Sequence, residues 1–187
     1  NVREVRLQVY KIVNKKLLNE AVVLVEVEAP FIAKKVLPGQ FIIFRIDEQG
    51  ERVPLTVADY DREKGTITLI VQMVGRSTKM LGAMEAGEYL LDVVGPLGIP
   101  THLDGLKNVC VIGGGVGCAI AYPQAKALHA MGAHVDMIAG FRSKDIVIIE
   151  DEMRAVADNL YVMTDDGTYG EKGLVTNKLQ HLVDEGK

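Results

Sequence analysis

The sequence predicts an antiparallel six-stranded β-barrel followed by an α/β domain built on a parallel sheet. Three observations carry this expectation. Residues 1–102 hold six short runs rich in β-branched and aromatic residues, separated by turn signals. The segment Gly95-Pro96-Leu97-Gly98-Ile99-Pro100 is a Pro/Gly connector. Beyond it, over 103–187, strand-like and helix-like patterns alternate, which implies parallel strands joined by crossover helices.

The elements follow in order. Val5 to Val13 and Ala21 to Val27 are strand-like, with a polar turn expected over Asn14 to Glu20. Pro38-Gly39 signals a turn before the apolar run Phe41 to Ile46, and Gln49-Gly50 closes that strand. Val53 to Ala58 and Thr66 to Val74 read as a pair joined by the turn Asp61 to Gly65. Ser77 to Met84 has helical spacing with Ser77 as candidate cap. Tyr89 to Val94 completes the six strands. In the second half, Val109 to Ile112, Val135 to Ala139 and Leu160 to Thr164 are expected strands. Gly117 to Met131, Ile149 to Ala157 and Leu174 to Val183 are expected helices. Three parallel strands fall short of the five or six usual in a doubly wound domain, so the sheet is expected to be incomplete, truncated toward residue 187. Asn1 is not an initiator Met, so residues before it are expected too.

Composition narrows the function classes. The 187 residues carry a formal net charge of −4 and no Trp. Neither a basic surface for phosphate backbones nor an aromatic platform for bases is present, so nucleic acid is not the expected partner. No run of eighteen apolar residues occurs, so no membrane span is expected. Two Cys provide no disulfide framework, and a reducing cytoplasm is the expected compartment.

The sharpest motif is Val109-Cys110-Val111-Ile112-Gly113-Gly114-Gly115-Val116-Gly117. An apolar strand runs into Gly113, Gly114, Gly115 and Gly117, and a helix follows. Glycine lets the backbone approach a ligand closely. The helix N-terminus offers unpaired N–H groups to a pyrophosphate. The spacing is neither G-x-G-x-x-G nor a P-loop. A ligand-free tight turn is the alternative, against which stands the conformational cost of four clustered glycines.

A β-barrel followed by this glycine loop resembles the ferredoxin–NADP reductase superfamily. Within it the chain is most similar to the small subunits of NADH-dependent ferredoxin–NADP oxidoreductases, also called sulfide dehydrogenases. The electron-transfer subunits of dihydroorotate dehydrogenases are near relatives. The matching stretches are Gly50-Glu51-Arg52-Val53-Pro54-Leu55-Thr56, Val93 to Gly98, the glycine loop, Gly140-Phe141-Arg142-Ser143-Lys144 and Thr164-Asp165-Asp166-Gly167-Thr168-Tyr169-Gly170.

The resemblance implies an FAD-binding barrel (1–102), an NAD(P)-binding α/β domain (103–187), and electron transfer between NAD(P)H, FAD and an iron–sulfur partner. It places Arg52, Pro54, Leu55 and Thr56 at the flavin, with the Thr56 hydroxyl near N5 and Arg52 toward the pyrophosphate. The family's Arg falls three residues before the hydroxyl, where this chain has Val53, and Leu55 replaces its aromatic. Gly75, Ser77 and Thr78 open a helix that would meet the FAD pyrophosphate, with Arg76 adding charge. Arg142 follows the second parallel strand, where an adenosine ribose usually lies. It reads either as a solvated cation or as a ribose or 2′-phosphate ligand. Asp165 ends the third strand, as a ligand contact or a plain turn. No side chain is expected to act as acid or base.

Family members also carry a 2Fe–2S cluster held by four thiolates. Cys110 and Cys118 lack that spacing and read as small core residues, so the cluster's ligands are expected to be absent from this chain. His102, His129, His134 and His181 show no metal-ligand spacing. The expected partners are a larger oxidoreductase subunit and ferredoxin or a similar redox protein.

Overall fold

A computed structural model describes residues 10–186. The expected strand over Val5 to Val13 therefore lies partly outside the described residues. The chain divides into two compact units. One comprises the described residues through Leu17 together with Val23–Ile99; the other comprises Leu18–Val22 with the residues from Pro100 on.

The first unit is all antiparallel apart from two short helices. Its strands are β1 (Tyr10–Asn19), β2 (Val22–Glu28), β3 (Phe41–Arg45), β4 (Val53–Thr56), β5 (Asp59–Asp61), β6 (Thr66–Gln72), β7 (Tyr89–Leu90) and β8 (Asp92–Leu97). The helices are α1 (Pro30–Ala33) and α2 (Arg76–Ala83). Two sheets form, in the orders β5-β6-β2-β1-β7 and β4-β3-β8. The expected run Tyr89 to Val94 is divided at Leu91 into β7 and β8, and β5 adds a short strand before the Asp61 turn.

Alternation explains the core. Val23, Val25 and Val27 of β2, Ile67, Leu69 and Val71 of β6, and Ile42 and Phe44 of β3 point inward and are all but fully buried. Leu81 of α2, Leu90 and Val93 close the same cluster. Burying a side chain of this size contributes about 1.5–3 kcal/mol, so this cluster is what holds β3 and β4 in position.

Three local expectations are corrected. Asn14 to Asn19 is strand rather than turn: Lys16 is exposed, and the half-buried Lys15 keeps its charge paired with Glu85 at 2.8 Å. The reversal is confined to Glu20-Ala21, where the Asn19 side chain accepts the Ala21 N–H at 2.9 Å. β4 pairs with β3 (Thr56 opposite Phe41, Val53 opposite Phe44), while β6 pairs with β5 through the Asp61–Gly65 turn. The cap of α2 is not Ser77. Gly75 is the N-cap, and Thr78 Oγ1 accepts the Gly75 N–H at 3.0 Å.

The second unit is a parallel sheet in the order β12-β11-β10-β9. Its strands are β9 (Asn108–Gly114), β10 (His134–Phe141), β11 (Asn159–Thr164) and β12 (Glu171–Lys172). The last is a fourth, two-residue parallel strand that sequence patterning misses. Its helices are α3 (Cys118–Ala130), α4 (Glu150–Ala155) and α5 (Val175–Asp184).

Neighbouring residues show which face each helix covers. A side chain at Gly113 would meet Cys118 of α3, and one at Gly140 would meet Val175 of α5. Gly113 pairs with Ala139, one residue from Gly140, so α3 and α5 cover opposite faces. Ile138, Met163 and Leu182 form the core beneath α5.

Cys118 is buried as expected, but Cys110 is exposed. β9 is the edge strand of the described sheet, and Asn108, Cys110, Ile112 and Gly114 alternate onto an open face. Cys110 is therefore not a core residue.

Candidate functional site

The two regions singled out by the sequence lie one in each unit. In the first unit, β4 carries Pro54, Leu55 and Thr56. Leu55 and Val53 pack against the core, Pro54 is exposed, and Thr56 is half-buried at the strand end. Alternation therefore sets the Leu55 side chain on the opposite side of the strand from Pro54 and Thr56. Arg52 precedes the strand, and its Nη1 donates to Asp92 Oδ2 of β8 at 2.9 Å. Four residues of extended chain separate Arg52 from Thr56, about 13 Å at 3.3 Å per residue. A cationic end and a hydroxyl end are thus set apart along one strand.

The loop leading into β4 meets the amino end of α2. Asp47, Gly50, Glu51, Arg76, Ser77 and Met80 line a concavity of ≈70 Å³ there. Gly75 caps the helix in an extended conformation. The first turn leaves backbone N–H groups without helical partners, which favours an anion. Ser77 is 9% exposed, and its hydroxyl donates to Glu51 Oε2 at 3.0 Å. The Thr78 hydroxyl donates to Gly75 O at 3.1 Å and accepts the Gly75 N–H. That hydroxyl is committed to the cap, so any ligand contact of Thr78 falls to its backbone. Glu51 and Asp92 were missed at the sequence level, where carboxylates beside an anion site carry the wrong sign to attract notice.

In the second unit three parallel strands end nearly flush. Gly114 of β9 pairs with Gly140 of β10, and Phe141 pairs with Thr164 of β11. The glycine loop, Arg142-Ser143 and Asp165-Asp166 all leave from this carboxyl edge, where open α/β sheets bind ligands.

The four glycines of the loop are not equivalent. A side chain at Gly113 would come within 2.8 Å of Cys118 Cα, so the protein's own packing requires glycine there. Gly115 has φ +53, which suits glycine best. Gly114 is extended (φ −132, ψ 129) and Gly117 helical (φ −61, ψ −19), and both conformations are open to any L-residue. A side chain at either would meet nothing within 4 Å. Among the described residues no packing or backbone conformation demands glycine at these two positions. A turn from Gly115 to Gly117 leads directly into the amino end of α3, whose first N–H groups suit an anion.

The other two loops of this edge are fastened together. Asp165 N–H donates to Phe141 O at 3.0 Å and Asp166 N–H to Arg142 O at 3.2 Å. Lys144 N–H donates to Thr168 Oγ1 at 2.9 Å, and that hydroxyl donates to Asp166 Oδ1 at 2.7 Å. Hydrogen bonds from the Thr168 side chain and backbone hold the Asp166 carboxyl below its ordinary range. The buried Thr164 hydroxyl donates to Tyr169 O at 2.5 Å and accepts its N–H. Arg142 and Asp165 are thereby presented from a rigid edge. Arg142 is exposed and makes no ion pair among the described residues.

Neither cysteine is poised for chemistry. Burial pushes the Cys118 thiol up to about 12, and burial followed by the Asp136 charge raises Cys110. Among the described residues no three His, Cys, Asp or Glu side chains converge on a metal position, so these residues do not fit an iron–sulfur cluster. No described helix is long and apolar enough to cross a membrane.

No family model matches the chain. Curated relatives do. An uncharacterized protein in the adh 3′ region of Clostridium beijerinckii is 49% identical over 186 residues, which is 95% of this chain and 63% of that protein. A dihydroorotate dehydrogenase B (NAD(+)) electron transfer subunit homolog from Thermotoga maritima is 44% identical, over 86% of this chain and 57% of its own length. The electron transfer subunit of dihydroorotate dehydrogenase B from Bacillus cereus (strain Q1) is 32% identical, over 91% and 67%. The chain thus spans less than two thirds of the first two relatives. Among solved structures, an NADH-dependent reduced ferredoxin-NADP oxidoreductase matches with TM-score 0.87 and 42% identity, covering 92% of this chain and 62% of the other. The ferredoxin reductase of a carbazole 1,9a-dioxygenase matches with TM-score 0.80 at 18% identity, which shows the fold alone.

Proposed function

Because the chain belongs to the ferredoxin reductase-like family of dihydroorotate dehydrogenase B electron transfer subunits and their homologues, we propose that it is an FAD- and NAD(P)H-binding oxidoreductase subunit passing electrons to an iron–sulfur partner. The observation that carries this reading is the pair Gly114 and Gly117, glycines whose absent side chains leave open space at the amino end of α3. A pyrophosphate fits such a place by charge and by close backbone approach.

In this reading residues 1–102 form the flavin domain and 103–187 the dinucleotide domain. Arg52 and the first turn of α2, with Gly75, Ser77 and the Thr78 backbone, hold the FAD diphosphate. Thr56 places its hydroxyl near flavin N5, Pro54 lies on the same side of the strand, and Leu55 supports the strand from the core side. Gly113, Gly114, Gly115 and Gly117 receive the dinucleotide pyrophosphate, and Arg142 and Asp165 meet the adenosine ribose. An exposed Arg142 favours a 2′-phosphate while Asp165 disfavours it, so NADH and NADPH are both substrates to compare. FAD held by these residues would supply hydride acceptance from NAD(P)H and one-electron release toward an iron–sulfur centre. The side chains orient and hold; none supplies or removes a proton.

With two cysteines in 187 residues, the 2Fe–2S ligands lie elsewhere than in this sequence. We place the protein in the cytoplasm, in complex with a larger oxidoreductase subunit and served by ferredoxin or a similar acceptor. The names of the Thermotoga and Bacillus relatives support a second reading of the same chemistry, as the electron-transfer subunit of a dihydroorotate dehydrogenase. The test is the purified chain's spectrum after incubation with FAD and desalting. Retained absorbance near ~450 nm at one flavin per chain is expected. A colourless protein would remove the flavin assignment.

A further inference from the structure

The outer edge of the parallel sheet is only partly covered. β12 pairs with β11 at Met163 and Thr164 and nowhere else, and the rest of β11 has β10 as its one strand neighbour among the described residues. Two hydrogen bonds fix the direction of the uncovered backbone groups. Thr164 O accepts the Gly173 N–H on the outer side at 3.0 Å, whereas Asp165 N–H donates inward to Phe141 O at 3.0 Å. Successive residues of a strand direct their backbone groups to alternate neighbours, so Val162 and Leu160 also turn theirs outward. The Gly170 backbone lies against Val162 O, where a side chain on Gly170 would collide with it. Leu160 has no such cover. It lines a groove of ≈300 Å³ together with Glu150, Arg154, Tyr161, Tyr169 and Glu171. We propose that this edge pairs with the same edge of a second copy of the chain, in an antiparallel seam centred on Leu160.

The backbone and the charges beside it both suit a twofold axis. A residue whose N–H and C=O both face outward exchanges both bonds with its own twin across such an axis, and an unpaired edge is a template for that pairing. Tyr169 N–H donates to Thr164 Oγ1 at the carboxyl end of β11, and the Tyr169 hydroxyl donates to Glu150 Oε1 at 3.1 Å. The amino end of α4 therefore lies beside the carboxyl end of β11. Arg154, one turn further along α4, is set toward the amino end of β11. Glu171, opposite Met163, is at the carboxyl end. Antiparallel pairing brings Arg154 of each copy toward Glu171 of the other, so the edge is complementary to itself in charge. The Arg154 and Glu171 side chains are 58% and 53% exposed, which leaves each open to a second partner besides Glu150 and Lys178.

Sedimentation velocity of the full chain over a concentration series tests this, and it requires neither flavin nor nicotinamide. A reversible monomer–dimer equilibrium is expected. Leu160→Pro removes the outward N–H from both copies, and proline is tolerated on an edge strand in that orientation. It should raise the dimer dissociation constant at least ~10-fold, the scale of two lost hydrogen bonds. Arg154→Glu should also weaken the dimer, by repulsion from Glu171 of the second copy, and adding Glu171→Arg should restore it. A seam elsewhere on the molecule would show no such rescue. Thermal unfolding checks that each variant is folded; should Leu160→Pro unfold the chain, the charge exchange alone decides. A dimer that Leu160→Pro and the charge variants leave unchanged would overturn the proposal. A parent chain that stays monomeric at every concentration would overturn it too, and leave the edge to an extended segment of another protein.

Discussion

Substituting the glycine loop one position at a time separates packing from ligand binding. Gly113→Ala places a methyl 2.8 Å from the Cys118 backbone. Overpacking of that kind costs about 1–3 kcal/mol, or roughly 2–4 °C of Tm per kcal/mol for a chain of this size. Gly117→Ala is the opposite case. Gly117 is the N-cap of α3, in a helical conformation and empty around the added carbon; the gain of about 0.4–1 kcal/mol from restricting the unfolded chain offsets the loss of a glycine favoured at the cap, so stability is not reduced. Gly114→Val is likewise free of clashes at Cβ and sits in an extended strand that favours a β-branched residue. Gly114→Val and Gly117→Ala should therefore melt at or above the parent temperature. Both should bind NADH at least ~10-fold more weakly, a loss of about 1.4 kcal/mol, with FAD binding unchanged. Thermal unfolding and NADH titration on the same samples decide it. NADH affinity within about twofold of the parent in stably folded Gly114→Val and Gly117→Ala would refute the reasoning.

Other outcomes are expected from the same geometry. Thr56→Val should keep the fold but slow flavin reduction by NADH in stopped-flow, because the hydroxyl proposed near N5 is gone; an unchanged rate would remove that role. Arg52→Ala should cost little stability, since the Arg52–Asp92 pair is partly exposed and such pairs contribute about 0–1 kcal/mol, yet FAD affinity should fall by roughly tenfold. Thiol labelling of the folded chain should modify Cys110 alone, since Cys118 is buried with its thiol raised to about 12; equal labelling of both would contradict the packing of α3 on Gly113. The Asp166 carboxyl is held below its ordinary range by Thr168. Its contribution to loop order is therefore present above the unfolded carboxylate pKa and is lost as pH falls through the lower folded value. Amide exchange in 165–170 should rise on acidification, and Thr168→Val, which removes the hydroxyl but keeps the backbone N–H bond to Asp166, should weaken that dependence.

How legible the sequence is depends on what holds each residue. Strands whose apolar residues alternate or run together, such as Thr66–Gln72 and His134–Phe141, are readable because burial dictates their pattern. The strand–turn–helix around Gly113 to Gly117 is readable because an apolar run ends in clustered glycines before a helical pattern. What escaped is non-local. The strand character of Asn14 to Asn19 comes from pairing with β2, and the lysines tolerate it because Lys16 is exposed and Lys15 is paired with Glu85. The choice of β3 rather than β6 as partner of β4 is settled across the barrel, not by the turn at Asp61. Cys110 looks like a core residue in an apolar run, yet β9 lies at the edge of the described sheet with one face open. Glu51 could be found only once the loop before β4 was seen to reach the first turn of α2.

The central claim is that this chain moves reducing equivalents from a nicotinamide to a flavin. An anaerobic titration of the FAD-loaded chain with NADH, and in parallel with NADPH, tests it directly. The account predicts that the flavin absorbance near ~450 nm bleaches in proportion to the reductant added, to completion near one equivalent per flavin. A flavin that stays bound and fully oxidised in excess NADH and NADPH would contradict it.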